Sequence, residues 1–396
     1  MAKNKKMTKA QKIWTAVGLS AVIGVFKAVG LVLSYVVYII GSYNRIGSIE
    51  LTPDGNAQHE KVSIGSNYKA ITYNIGFGAY SQDYTFFMDD GYDDEGNLIT
   101  GYYSKGRSKD EILYNINGSS NIVKNEDSDF VLLQEVDVHS TRSYYVDEDK
   151  IYRGKLNEGY MHSFAKNFHT AFLPYPLYDM HGSVQSGLST YSKYKITHSE
   201  RKEYTVATDF SKFFDLDRCF QVNKIEVDNG KILYLVNNHM SAYDEGGKIR
   251  KIQMEELNAF LNKVKEEGNY CIVSGDFNHD LLVNNPKFDY NDSTNRPFGM
   301  TKKKPDWLSY LFDENHNSPI TSGFTVYGSD NNPTCRNNNI TWIEGETFVA
   351  SVDGFIVSDN IEVTSIKTIR TINPKTNIEG FAYSDHEPVS LEFKLK

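Results

Sequence analysis

Asp276 and Asn278 are an acid and an amide two positions apart, in the stretch NYCIVSGDFNHDL at residues 269–281. The apolar run Cys271-Ile272-Val273 before them reads as a buried strand. In extended chain, residues i and i+2 share a side, so both side chains would project from that strand's C-terminal end. An acid placed there can orient or deprotonate a water, and an amide N–H can donate to a phosphoryl oxygen. Gly275 removes a side chain, which would let a substrate or metal approach the backbone. Taken alone, Gly-Asp-x-Asn is better explained as a turn, because these types favour turns.

Other polar residues sit where strands should end. Tyr68–Ile75 alternates like a strand and closes on Asn74; Asp129–Val136 is apolar and closes on Glu135. Lys231–His239 ends in His239, Phe348–Ser358 holds Asp353, and Asp385-His386 precede the last strand. Between them, Ser108 and Glu111 have the spacing of a capping box that opens a helix to about Lys124. Gly247–Glu267 has amphipathic helical spacing, 146–168 reads as helical, Pro305–Phe312 as a short helix, and Gly187–Ile196 as a strand followed by a turn. Each polar residue has a structural explanation of its own: a turn cap, a solvated carboxylate, a satisfied core histidine. Two histidines with several acids and amides at strand ends instead suggest one crevice in an α/β body.

The segments ITYNIG, LLQEV, NNHM, SGDFNHD, SVDGFIV and YSDHEPV occur in that order. Together they resemble the endonuclease/exonuclease/phosphatase superfamily over roughly residues 67–396. The resemblance implies an α/β fold: a four-layer sandwich of two packed mixed β-sheets flanked by helices. It implies that Glu135, Asn74 and Asp385 lie at a divalent metal, Mg²⁺ or another cation such as Mn²⁺. Asp276 would orient or activate the attacking water and Asn278 would contact the phosphoryl group. His386, its ring held by Asp353, would stabilise charge on phosphorus. His239 would be a general acid or a phosphate donor. Asp137 stands where many nuclease members carry a basic residue, and His239 has no evident acidic partner in the sequence. Arg218 and Arg336 are candidate phosphate ligands, since guanidinium grips phosphate in bidentate fashion; surface ion pairs explain them about as well.

Composition sets the outer bounds. The 396 residues are 40% hydrophobic and 23% charged, as in an ordinary globular protein. Three cysteines lack metal-ligand spacing, and their odd number argues against a disulfide framework. The formal net charge is −9, yet the first 45 residues hold seven bases and no acid, so the rest is more acidic still. Such a body is a poor general nucleic-acid binder, though a nuclease that bridges substrate through metal ions is not excluded. The acidic run DDGYDDEG at 89–96 lacks the spacing of a helix-loop-helix calcium site and reads as a solvated loop.

Residues 13–40 are apolar apart from Lys27 and scattered hydroxyls, long enough to cross a bilayer. Lys27 costs about 3 kcal/mol at a span centre on insertion scales. Bases before the span predict a cytoplasmic N-terminus and an extracytoplasmic body at the cell membrane. The expected organisation is a signal anchor at 1–45, a linker at 46–66 and a catalytic domain at 67–396. The expected function is a membrane-anchored, metal-dependent phosphoester hydrolase, with nucleic acid as the first substrate reading. A sphingomyelinase- or phospholipase C-like lipid phosphodiesterase is the second, and a catalytically inactive surface binding protein the third. The partners implied are the phosphoester substrate and the bilayer; no protein partner is inferred.

Overall fold

The computed structural model describes residues 7–42, 44–93, 95–156, 159–206, 216–242, 248–282, 296–299, 305, 307–312 and 317–396. Asp94 of the acidic run, Gly247 and Asp306 lie outside them. The chain divides into two compact units, Met1–Asn44 and Arg45–Lys396.

The first unit contains helix α1, Lys9–Ser42. Thr8 and Gln11 cap it reciprocally: Gln11 N donates to Thr8 Oγ1 at 3.2 Å, and Thr8 N donates to Gln11 Oε1 at 2.9 Å. Its mean hydropathy reaches 2.2 over an 18-residue window, so by length and composition it can cross a membrane; a signal sequence has the same properties.

The second unit is built on two seven-stranded mixed sheets. One runs β1 (Ile49–Leu51), β9 (Ile196–Glu203), β10 (Cys219–Glu226), β11 (Ile232–His239), β12 (Tyr270–Asp276), β18 (Asp353–Ser358), β15 (Phe324–Gly328). The other runs β19 (Ile361–Thr368), β20 (Val389–Leu395), β3 (Asn67–Asn74), β6 (Phe130–Asp137), β8 (Gly182–Ser192), β7 (Met161–Leu173), β2 (Asp54–Gly55). Alternating apolar residues of both sheets, among them Ala70, Leu132, Leu235, Ile272, Phe355 and Leu391, form the core between them. The opposite faces are covered by helices. Helix α4 (Lys248–Glu266) packs Leu257, Leu261 and Val264 on Val236 and Val273. Helix α2 (Lys109–Glu126) packs Ile112, Ile116 and Val123 beside Ile71, Tyr73 and Val131, and α3 (Glu148–Leu156) adds Tyr152 and Leu156. This is the expected four-layer sandwich. Among the described residues, three two-strand ladders complete it: β4 (Asp90–Tyr92) with β5 (Leu98–Thr100), β13 (His279–Asp280) with β14 (Ser309–Tyr310), and β16 (Cys335–Arg336) with β17 (Val349–Ala350).

Three local expectations change. Residues 146–168 are not one helix: α3 stops at Leu156 and β7 starts at Met161, pairing with β8 from Met161↔Ser192 onward. The pairing partner, invisible in a local pattern, overrides helical spacing. Ser309–Tyr310 is a strand rather than part of a short helix. Residues 46–66, expected as a linker, contain β1 and β2, which extend one sheet each by pairing with β9 and β7.

Topology gathers the strand ends. β3 and β6 are parallel, with Asn74 opposite Gln134; β11 and β12 are parallel, with His239 opposite Asp276. β18 runs antiparallel to β12 and starts there, with Asp353 opposite Asp276. The C-terminal ends of four strands and the start of a fifth therefore meet at one end of the sandwich. A polar pin joins the two sheets just beneath: Gln134 Nε2 donates to Asn237 Oδ1 at 2.7 Å, and Asn237 Nδ2 donates to Leu133 O at 3.1 Å.

Candidate active site

Asp276 is the centre of the cluster. Its Oδ2 accepts from Asn74 Nδ2 at 3.1 Å and lies 3.5 Å from His239 Nε2 and 3.9 Å from His386 Nε2. The carboxylate is buried, and burial, with the like charge of Asp353, pushes its pKa up to about 7 against the opposing pull of His386. Gly275 beside it has φ +147, and a Cβ there would fall 1.9 Å from Asn238 O. The glycine thus admits the neighbouring strand β11, not a ligand as the sequence suggested. Asn278 is also placed differently. Its φ is +51, so the chain turns after Asp276 instead of staying extended. Asp276 Oδ1 accepts from Asn278 N at 2.8 Å, and Asn278 Nδ2 donates to Met240 O at 2.8 Å. The turn reading and the site reading of Gly-Asp-x-Asn both hold: an Asx turn fixes the carboxylate.

The two histidines differ in their partners. His386 Nδ1 lies 2.8 Å from Asp353 Oδ2, and both are buried. Burial opposes a charged ring, but Asp353 and Asp385 outweigh it and hold His386 well above the usual histidine range. The imidazolium therefore donates Nδ1–H to Asp353 and aims Nε2–H into the cluster. His239 faces Asn167 instead, with Nδ1 3.3 Å from Asn167 Nδ2. An amide N–H donor at Nδ1 selects the tautomer that carries its proton on Nε2. Burial, with the nearby charges of Arg218, His386 and Arg142, drives His239 well below its usual range. It is a neutral donor whose Nε2–H points at Asp276 and, at 3.9 Å, Glu135.

Glu135 has φ +55 in a bulge where the β6–β8 register shifts between Leu133 and Val136. The extra residue turns its side chain into the crevice. Burial and the like charge of Asp385 raise its pKa. Asp385 accepts from Asn338 Nδ2 at 2.8 Å through Oδ2 and from Ser384 Oγ at 3.2 Å through Oδ1. Asn74 turns its Oδ1 to Gly76 N (3.0 Å) and its Nδ2 towards Glu135 (3.4 Å), so an oxygen ligand from it requires the amide to rotate. Among the described residues, the compact grouping of metal-ligand atoms is Asp276, Asp353 and His386, all within 4.8 Å.

Arg218 is buried, and its charge acts on Glu135, His239 and Asp276. Arg336 is buried too: its Nη2 donates to Ser81 O and Tyr84 O, and its backbone N donates to Asp385 O at 2.9 Å. Three contributors were missed in the sequence: Asn167, hidden in a stretch with helical spacing; Asn338, in a polar loop; and Arg142, the partner of Asp137. Asp137 Oδ1 accepts from Arg142 Nη2 at 2.9 Å, and the guanidinium stacks 3.7 Å from the Phe77 ring centroid. The acid two positions after Glu135 is thus the anchor of a buried cation beside the site.

Residues 112–386 match the sequence profile of the Endonuclease/Exonuclease/phosphatase family. No curated protein sequence matches. Among solved structures, truncated Caenorhabditis elegans TDP2 is similar at a TM-score of 0.50 and 15% identity, covering 84% of this chain and 99% of that one. ANGEL2, a 2',3'-cyclic phosphatase in complex with adenosine-2',3'-vanadate, is similar at 0.50 and 15%, covering 88% and 99%. These two likenesses concern the fold.

Proposed function

This chain belongs to the endonuclease/exonuclease/phosphatase family of phosphoester hydrolases, and we propose on that footing that its strand-end cluster hydrolyses phosphodiesters by in-line attack of water. The observation that carries the reading is the contrast between the two histidines across Asp276: one cationic and paired with a carboxylate, one neutral and paired with an amide. Environments that push the pKa values of two like groups apart give them different roles, here a charged and a neutral N–H donor.

Asp276, poised near neutrality, accepts the proton of the attacking water as the new P–O bond forms. His386 donates Nε2–H to the phosphoryl group and stabilises the charge that builds there, with Asp353 keeping the ring charged and aimed. His239 supplies a second N–H from a neutral ring, which favours a phosphate-donor role over that of general acid. Arg218 adds positive charge, while Asn278 acts on Asp276 through the turn. The leaving oxygen takes its proton from His386 or from water.

The donor set fits a hard divalent cation. Glu135, Asp276, Asp353 and Asp385 bring four carboxylates together, and the raised pKa values of Glu135 and Asp276 reflect their burial first and then the like charges of Asp385 and Asp353. Glu135 and Asp385, with Asn74 after rotation of its amide, would hold Mg²⁺ or Mn²⁺. Asp353 and His386 are engaged with each other, so their grouping with Asp276 suits the water-activating side better. The cation, when bound, neutralises phosphoryl charge.

For the substrate, a nuclease-type phosphodiester is one reading, supported by the nucleotide analogue in the ANGEL2 complex. A lipid phosphodiester is the second, supported by an exposed aromatic face described below. With the apolar helix as membrane anchor, the enzyme would work beside a bilayer, its catalytic unit extracytoplasmic. The test is hydrolysis by residues 45–396 with Mg²⁺ of single-stranded DNA, RNA and sphingomyelin vesicles. Cleavage of either nucleic acid alone supports the nuclease reading; cleavage of the lipid alone replaces it.

A further inference from the structure

We propose that the catalytic unit carries a docking face for a zwitterionic lipid surface, formed by the β4–β5 hairpin with its flanks and by the loop at 174–181. Only the consequence for catalysis, delivery of a lipid phosphodiester, rests on the hydrolase reading; the docking itself does not.

The face is defined by large apolar side chains left in solvent. Met88, Leu98, Tyr102, Tyr175, Leu177 and Tyr178 are all exposed, Leu177 to 76%. Ring contacts tie the two segments that carry them together. The Phe87 and Tyr175 ring centroids are 5.8 Å apart and those of Tyr102 and Tyr178 are 5.0 Å apart. Tyr178 OH donates to Tyr102 O at 3.1 Å, and Ser104 N donates to Asp179 Oδ2 at 2.9 Å, which fastens the loop to the segment that follows the hairpin. Single exposed apolar residues are ordinary, but a contiguous group of them marks an interaction site.

Its chemistry selects the partner. Tyrosines mixed with leucine and methionine suit the headgroup level of a bilayer, where an amphipathic ring can stay half-wet. The hairpin adds Asp90 and Glu95, both exposed, and residues 46–396 hold 51 acids against 35 bases. That charge repels a nucleic-acid backbone and an anionic membrane. It complements the ammonium of a zwitterionic headgroup, which tyrosine faces also attract.

The face is joined to the catalytic cluster through one residue. Phe86 N, at the root of the hairpin, donates to Asn338 O at 2.9 Å. Asn338 Nδ2 reaches both Asp89 Oδ2 (3.1 Å) and Asp385 Oδ2 (2.8 Å). A headgroup on the hairpin therefore lies at the rim of the crevice.

The test uses residues 45–396, which contain both sheets and every core cluster described above, so that α1 cannot itself bind the vesicles. Flotation is measured with phosphatidylcholine vesicles for the unsubstituted unit and for Tyr175→Ser/Leu177→Ser/Tyr178→Ser. The expected result is co-flotation that the triple variant weakens at least about tenfold, the effect of removing roughly 1.4 kcal/mol of binding. A Leu177→Trp variant, whose emission should shift blue and be quenched by brominated lipid, checks the contact without removing apolar surface. No flotation, flotation indifferent to the triple variant, or an unquenched Leu177→Trp overturns the proposal. So does an effect of the triple variant seen only in single-stranded DNA binding or in self-association. Turnover of a soluble phosphodiester by the unsubstituted unit is scored separately: its absence refutes the hydrolase reading and leaves the flotation result to decide the docking face.

Discussion

At the scale of residues, the partners of each histidine set its charge, and this gives a prediction. Asp353→Asn keeps the contact to His386 Nδ1 but removes the charge that overcomes burial. Phosphodiester turnover should fall by about 10²-fold or more, the worth of a positioned proton donor; steady-state rates check it, and a fall of less than about threefold would contradict the assignment. A second prediction concerns stability. His181 is buried with Nδ1 2.6 Å from Ser104 O, and burial, with the charge of Arg142, drives its pKa down to about 4. Unfolded, it returns to about 6.5, so below that pH the unfolded chain binds a proton that the folded chain refuses. Its contribution is complete above pH 6.5 and is lost as pH falls towards 4. Glu387, raised to about 7 by burial, has the opposite sign. The difference between wild type and His181→Gln isolates the histidine. Between pH 7 and 4.5, urea unfolding should show wild type losing about 2.5 kcal/mol more than the variant; equal losses would contradict the shift.

Much of the site was legible in residue types. The acids, amides and histidines at strand ends did converge, because four strands finish and a fifth begins at one end of the sandwich. What was not legible were partners supplied by distant chain. Nothing local marks Asn167 as the neighbour of His239, or Asn338 as the holder of Asp385; each depends on strands brought together by the sheets.

At the scale of elements, the end of the sandwich that carries the cluster depends on two departures from regular strand. The bulge at Glu135 turns an acid into the crevice, and Gly275 lets β12 pass against β11. Gly275→Ala would place a methyl group 1.9 Å from a backbone carbonyl at a φ of +147. Unfolding free energy should fall by about 3 kcal/mol or more. Activity should fall with it even where the protein remains folded, since the two strands carry His239 and Asp276 in register. Denaturant unfolding near wild type would contradict this reading. Local patterns foretold α2 and α4 because capping and amphipathic spacing are local. They failed over 146–168, where pairing with β8 decides the outcome, and over β1 and β2, which are too short to carry a pattern of their own.

At the scale of the whole molecule, a basic apolar N-terminus precedes an acidic enzyme unit. If α1 anchors the protein, full-length chain should stay in the membrane pellet through alkaline carbonate washing, while residues 45–396 remain soluble; release of the full chain would refute anchoring. The measurement that bears most directly on the central claim is hydrolysis of bis(p-nitrophenyl) phosphate by residues 45–396, with and without Mg²⁺, beside Glu135→Ala and His386→Gln. The predicted result is turnover that needs the cation and falls by about 10²–10⁴-fold in each variant. Turnover unchanged in both variants, or none from the unsubstituted protein with Mg²⁺ or Mn²⁺, would contradict the assignment of this cluster as a phosphodiesterase site.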